Sequence, residues 1–166
     1  MAIVWSAALV LIADQLTKFW VRSAFESEQL MTVVRGLLNL TYVSNQGGVF
    51  GIFPRQQFLF VILSIATIIA IIHFYRVYAP RLLACRIAVG MILGGAVGNL
   101  LDRLALDLRG GVTDWIDCHW GEYHWPAFNI ADSAITLGVF ILLYLMLLKV
   151  EIQPHIKGNA GAPDSL

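Results

Sequence analysis

"FLFVILSIATIIAIIHFY", residues 58–75, contains no acidic or basic side chain, and His73 is its only titratable group besides Tyr75. A run of that length and character reads as a helix that crosses the ~30 Å hydrocarbon core of a bilayer. Three further apolar runs lie around it, at roughly 2–22, 84–103 and 130–149. The composition agrees with a membrane protein. Hydrophobic residues make up 58% of the 166 residues and charged residues 13%, where a soluble domain has about a quarter charged. The expected architecture is therefore an all-α integral membrane protein with four transmembrane helices. The formal net charge of zero gives nucleic acid nothing to bind.

The first run is expected to be a retained span and not a removable signal peptide. It has no basic leader, and Asp14, Lys18 and Arg22 interrupt it. Four spans put both termini on one side, with Arg76, Arg81, Arg86, Lys149 and Lys157, which makes that side the cytoplasmic one. Nine of the eleven acids, Asp14, Asp102, Asp114, Asp117 and Asp132 among them, fall on the other side. The polar chemistry is thus gathered at one membrane face. Residues 1–150 read as one unit, and 151–166, "EIQPHIKGNAGAPDSL", as a polar, flexible cytoplasmic tail.

On the acidic side the chain changes character. "LMTVVRGLLNLTYV" (30–43) mixes β-branched residues around Gly36 and reads as short strands and not a helix. "SNQGGVFGIF" follows as a glycine-rich loop that could lie on the membrane as a flap, with Gly47, Gly48 and Phe50 at its centre. "GGVTDWID" lies in the loop between spans three and four, and residues 115–128 carry Trp115, Trp120, Tyr123, Trp125 and Phe128, which suit the headgroup level. "CHWGEYH" (118–124) within it has no usual metal-ligand spacing. Cys85 and Cys118 fall on opposite faces, so no disulfide joins them.

Several positions have both a structural and a chemical reading. Asp14, Lys18 and Arg22 share one helix face, either as an ion pair within the helix or as a brace for a site. Gly90, Gly94 and Gly98 read as a close-packing stripe. Asn99 and Arg103 share a face one turn apart, while Asp102 and Arg103 could simply anchor the helix end. If Asn129 caps span four, Asp132 falls at its third helical position, where a carboxylate favours the helix dipole. Asp114 and Asp132, one on a loop and one at a helix start, can meet at the same depth. Two such carboxylates share one proton, so one can activate water while the other polarises a carbonyl.

The chain resembles the bacterial lipoprotein signal peptidases, also called signal peptidase II. The likeness rests on "DQLTK" (14–18), "NQGGVF" (45–50), "GGAVGNLLDR" (94–103), "VTDW" (112–115) and "PAFNIADSAI" (126–135), in that order. It departs from the family pattern at Gly48 and Val49, where alanines are usual, and at "VTDW", where "VVDF" is usual. The resemblance implies an aspartic peptidase at the outer face of the bacterial inner membrane. Such an enzyme removes signal peptides from diacylglyceryl-modified prolipoproteins, without metal or other cofactor. It implies Asp114 and Asp132 as the catalytic pair. Asn45, Asn99, Arg103 and Asn129 would contact substrate, with Asp14 and Lys18 as support, and the strands at 30–43 would correspond to the family's small extracytoplasmic β-sheet. Membrane lipid and the lipidated precursor are the expected partners, and the chain is expected to act as a monomer. Two other classes remain: a proton-coupled transporter, which would normally set its carboxylates near the midplane, and a non-catalytic membrane scaffold.

Overall fold

The computed structural model describes residues 1–47, 56–78, 82–105 and 111–148. Gly48 and Phe50 of the glycine-rich loop, and the tail at 151–166, lie outside the described residues. The elements run α1 (Ala2–Ala24), β1 (Leu30–Val34), β2 (Leu38–Asn45), α2 (Gln57–Tyr78), α3 (Leu83–Leu104), β3 (Val112–Trp120), β4 (Tyr123–His124) and α4 (Ile130–Leu147). All four helices are long and apolar enough to cross a membrane, and each falls on one of the four apolar runs.

α3 is the hub, packed against α1, α4 and α2. In a bilayer, lipid is as apolar as leucine, so helices associate through close packing and polar contacts. The glycine stripe supplies the first. A Cβ on Gly90 would meet the backbone oxygen of Ile3 at 2.6 Å, and one on Gly94 would fall on the backbone oxygen of Ala7. One on Gly98 would lie 2.5 Å from Asp14 Oδ2, and one on Gly95 2.5 Å from the backbone oxygen of Ala131. On α4, Gly138 fits against Ala88 and Ile92 of α3 in the same way. The outer faces are the reverse. Val4, Trp5, Leu9, Leu16 and Phe19 of α1 are exposed, and no residue of α2 from Phe58 to Tyr78 is buried. Such surfaces are stable only against lipid.

The sheet is antiparallel, in the order β1-β2-β3-β4. Gly36, at φ +80°, turns β1 into β2. The expected strands at 30–43 are therefore present, and β2 continues to Asn45. The expected loop between spans three and four is corrected. Val112–Trp120 form β3, which pairs with β2, and Tyr123–His124 fold back on β3 as a hairpin. β2 and β3 come from two different connections, separated in sequence by α2 and α3. The sheet packs on α1 and α3 and, through Phe128, leads into the start of α4. Cys85, near the start of α3, and Cys118, in the sheet, are both free.

Candidate active site

The site starts with the way α4 begins. Residues 126–128 run beside β3, where Phe128 exchanges backbone hydrogen bonds with Ile116 at 2.9 and 3.1 Å. That pairing delivers Asn129 next to Asp114. Asn129 caps α4: its Oδ1 accepts the Asp132 backbone N–H at 2.9 Å, while Asp132 Oδ2 accepts the Asn129 N–H at 3.3 Å. Two of the helix's orphan donors are thereby satisfied. With its oxygen engaged, Asn129 can only turn its amide NH₂ elsewhere, and it donates to Asp114 Oδ1 at 2.7 Å. The capping reading of Asp132 therefore holds together with the reading that sets it near Asp114.

Asp114 sits on β3 and not on a loop. It pairs with Val43 of β2, diagonal to Asn45, which pairs with Val112. Diagonal neighbours on one face are within side-chain reach, and Asn45 Nδ2 donates to Asp114 Oδ2 at 2.8 Å. Asn45 is oriented as Asn129 is, because its Oδ1 accepts the Gly47 N–H at 3.0 Å. Side chains alternate along a strand, so Asp117, three residues on, faces the other way. It is held there by Asn39 at 2.9 Å and His124 at 2.8 Å.

Asp114 is 2% exposed, and its pKa is pushed up to about 7. Burial is the main cause and the neighbouring Asp132 charge adds to it, against the hydrogen bonds from Asn45 and Asn129 and the Lys18 charge. Burial also acts to raise the Asp117 carboxyl. The Asn39 and His124 hydrogen bonds and the histidine charges outweigh it and hold the group below its usual range.

Asp132 keeps one oxygen for Asn99, whose Nδ2 donates to Oδ1 at 2.7 Å. Behind Asn99 lies a charge cluster between α1 and α3. Lys18 Nζ is 2.9 Å from Asp14 Oδ2, 3.0 Å from Asp102 Oδ2 and 2.9 Å from Asn99 Oδ1. All three side chains that carry charge here are buried. Asp14 Oδ1 accepts the Ala131 N–H at 3.0 Å, so α1 supplies a cap to α4. Asp102 accepts the Thr113 N–H at 3.0 Å, which fixes β3 one residue before Asp114. Arg22 donates to Thr113 Oγ1 at 3.0 Å and lies 3.6 Å from Asp102. Asp14 and Lys18 are thus both an ion pair within the helix and a brace.

Asn45, Gly47, Asn99, Arg103, Asp114 and Asp132 line one cavity of about 700 Å³, with Phe60, Trp125, Phe128, Ile135 and Leu137 among its apolar walls. The Arg103 guanidinium lies 5.4 Å from the centroid of the Phe60 ring. The structure therefore brings together the two aspartates, Asn45, Asn99, Arg103 and Gly47 on one cavity; Asn129, expected to contact substrate, is instead fully buried beside Asp114 with its NH₂ engaged by protein groups. Asp14 and Lys18 stand one layer behind. Asp102 does more than anchor a helix end, and sequence reasoning gives no sign of Thr113 or of Gln15, which donates to Asp14 at 3.1 Å. One signal does point to Asp102, since it continues the four-residue spacing of Gly90, Gly94 and Gly98 that faces α1.

The family model described as "Signal peptidase (SPase) II" matches residues 6–148. The lipoprotein signal peptidase of Syntrophotalea carbinolica is 42% identical over 140 residues, covering 82% of this chain and 85% of that one. That of Bacillus velezensis is 40% identical over 141 residues, covering 85% and 90%. A bacterial membrane enzyme solved by the in meso method at 2.3 Å superposes with a TM-score of 0.81 at 30% identity, covering 95% of this chain and 94% of the other. A second, at 1.9 Å, gives 0.77 at 34% identity, covering 90% and 94%. With the match running from the first span to the end of the fourth, the chain belongs to the signal peptidase II family of membrane proteases.

Proposed function

We propose that the chain is an aspartic endopeptidase that removes signal peptides from diacylglyceryl-modified prolipoproteins, cutting just before the lipid-modified cysteine. The observation that carries this reading is the placement of two carboxylates in one cavity. One comes from a strand and one from a helix start, and both are held by asparagines whose own oxygens are engaged. The ionised member takes a proton from water, which attacks the scissile carbonyl carbon. The protonated member gives its proton to the carbonyl oxygen. As the C–N bond breaks, the proton taken from water passes to the leaving amine, and one hydroxyl of the gem-diol intermediate returns its proton to the other carboxylate as the carbonyl re-forms. The Asp114 pKa near 7 suits a group that holds that proton at neutral pH. Burial and the partner charge do the tuning, and the pair titrates as a unit.

Arg103, on the cavity wall, is suited to bind substrate backbone, which finds neither sheet nor water there. In this reading Asn45 and Asn99, on the cavity wall, contact substrate while they hold the aspartates, and the fully buried Asn129 acts only by holding Asp114. The site faces the outer side of the bacterial cytoplasmic membrane, with both termini cytoplasmic; Arg76 and Arg86 at the opposite end of the bundle support this. Every side chain in the scheme comes from one chain, which fits a monomer. The cavity lies at the end of the bundle, which does not suit a transporter whose path must reach both faces.

The test is a gel-shift cleavage assay with purified protein, comparing diacylglyceryl-modified and unmodified precursors with and without chelator. Cleavage of the lipidated precursor alone, unaffected by chelator, is expected. Equal cleavage of both precursors, or loss of cleavage with chelator, would overturn the reading.

A further inference from the structure

Asn99 faces a choice that Asn45 and Asn129 do not. Their oxygens are engaged by backbone N–H groups, Gly47 and Asp132, so the local fold settles which way each amide points. Asn99 lies inside α3, next to no free backbone donor. Its carbonyl oxygen and its NH₂ could in principle exchange places. Two donors reach its oxygen: the Lys18 ammonium at 2.9 Å and, at the longer distance of 3.3 Å, Asn129 Nδ2; the short, charged contact is the stronger and decides.

An ammonium has three donors and no acceptor. On Lys18 the three find Asp14, Asp102 and Asn99, and the side chain is fully buried. No donor is left over and no room for rearrangement exists. Rotating Asn99 by half a turn would set its NH₂ against the ammonium and its carbonyl oxygen against Asp132. Both contacts would be repulsive in a site where low dielectric makes them expensive.

We infer that Lys18 is a positioning residue of the peptidase site: by engaging the Asn99 oxygen it aims the Asn99 NH₂ at Asp132. This rests on the aspartic peptidase reading and adds a determinant to it. Asp132 Oδ2 is tied to the Asn129 N–H in the helix cap. The Asn99 donor on Oδ1 is the contact that sets the carboxylate plane, and with it the lone pairs left for water. The charged groups around the ammonium are Asp14 and Arg22 on α1, Asp102 and Arg103 on α3, Asp132 on α4 and Asp114 on β3. Asp14, Asp102, Lys18 and Arg22 form a cluster of zero net charge. Lys18 does not touch the cavity, which ends at Asn99.

The experiment is a double-mutant cycle in the lipidated-precursor assay with Lys18→Met, Asn99→Ala and both together. Lys18→Met should lower kcat at least ~10-fold while KM stays within ~2-fold, as for an interaction used only in the transition state. In the Asn99→Ala background the same change should cost less than ~2-fold more, because the amide through which Lys18 acts is gone. Lys18→Met alone leaves two buried carboxylates with Arg22 as their nearest cation. The charge-balanced variant Asp14→Asn with Lys18→Met keeps the cluster neutral and keeps an acceptor for the Ala131 N–H. It should melt near the wild type and show the same loss in kcat. Wild-type kcat in the charge-balanced variant, or fully multiplicative losses for Lys18→Met and Asn99→Ala, would overturn the inference. A wild-type protein that fails to cleave lipidated precursor would overturn the peptidase reading instead.

Discussion

Replacing Asp114 by asparagine should change the sign of its effect on stability with pH. In the folded protein the carboxyl is shifted from 3.8 to about 7, chiefly by burial and also by the Asp132 charge. The folded state therefore holds this proton more tightly than the unfolded chain does. Below pH ~4 both states are protonated and the group carries no penalty. Between pH ~4 and ~7 the unfolded chain ionises first, so stability falls as pH rises; above ~7 the loss is complete. A gap of about three pH units at ~1.4 kcal/mol each makes the total about 4 kcal/mol. The substituted amide does not titrate, so the variant escapes that loss. It has its own defect, because Asn45 and Asn129 both donate to Asp114 and an amide offers only one oxygen. One NH₂ then faces another, at a cost of about 1–3 kcal/mol. Asp114→Asn should therefore be less stable than the wild type at pH 4 and more stable at pH 8. At ~2–4 °C per kcal/mol for a chain of this size, the Tm difference should swing by about 10 °C. Thermal unfolding in detergent micelles, followed by fluorescence of the five tryptophans, measures it. Parallel Tm–pH curves for the two proteins would refute the assignment of Asp114 as a buried, proton-holding carboxyl.

Asp114→Asn and Asp132→Asn should each lower kcat by at least ~10²-fold in the precursor assay while both proteins still insert and fold. Asp117→Asn, on the opposite face of β3, should leave cleavage within ~3-fold. Because its carboxyl is held below the usual range, it adds stability at neutral pH that is lost as pH falls. Asp117→Asn should therefore flatten the acid side of the Tm–pH curve; an inactive Asp117→Asn beside an active Asp114→Asn would exchange their roles. Gly95→Ala sets a Cβ 2.5 Å from the Ala131 backbone oxygen and 2.8 Å from Ile135 Cγ1. Overpacking of ~1–3 kcal/mol should exceed the ~1 kcal/mol gained in helix propensity, lowering Tm and, through displaced Ala131 and Asp132, kcat. Gly47→Pro deletes the N–H that engages Asn45 and should reduce kcat more than folded yield; unchanged kinetics would remove Gly47 from the site.

The helices were legible because membrane spans announce themselves one at a time. An apolar run of some twenty residues needs no partner to be recognised. β3 was not legible, because what makes "VTDWIDCHW" a strand is its pairing with β2, some seventy residues upstream. Its polar residues at 114, 117 and 119 look like a wet loop until Asn45, Asn39 and His124 are placed beside them. The local cap was readable, since Asn129 and Asp132 lie three residues apart. The trans cap was not: nothing near Ala131 in sequence points to Asp14. The glycine stripe did predict close packing by α3, and extending it by one more turn reaches Asp102.

The ion pair of Lys18 with Asp14 lies within α1, one turn apart. Its other partners arrive much later in synthesis: Asn99 follows Lys18 by 81 residues, and Ala131 follows Asp14 by 117. During biosynthesis, then, the first span enters the bilayer before any of the groups it will bind exist. The pair makes that tolerable, because each ion is neutralised by a neighbour on its own helix from the outset. As α3 arrives, Lys18 keeps its first partner and adds Asp102 and Asn99; as α4 arrives, the free oxygen of Asp14 takes the Ala131 N–H. The proposed hydrolytic pair is completed only at this last step, so a chain that has made three spans already holds Lys18 with Asp14, Asp102 and Asn99 but has no means of cutting its neighbours.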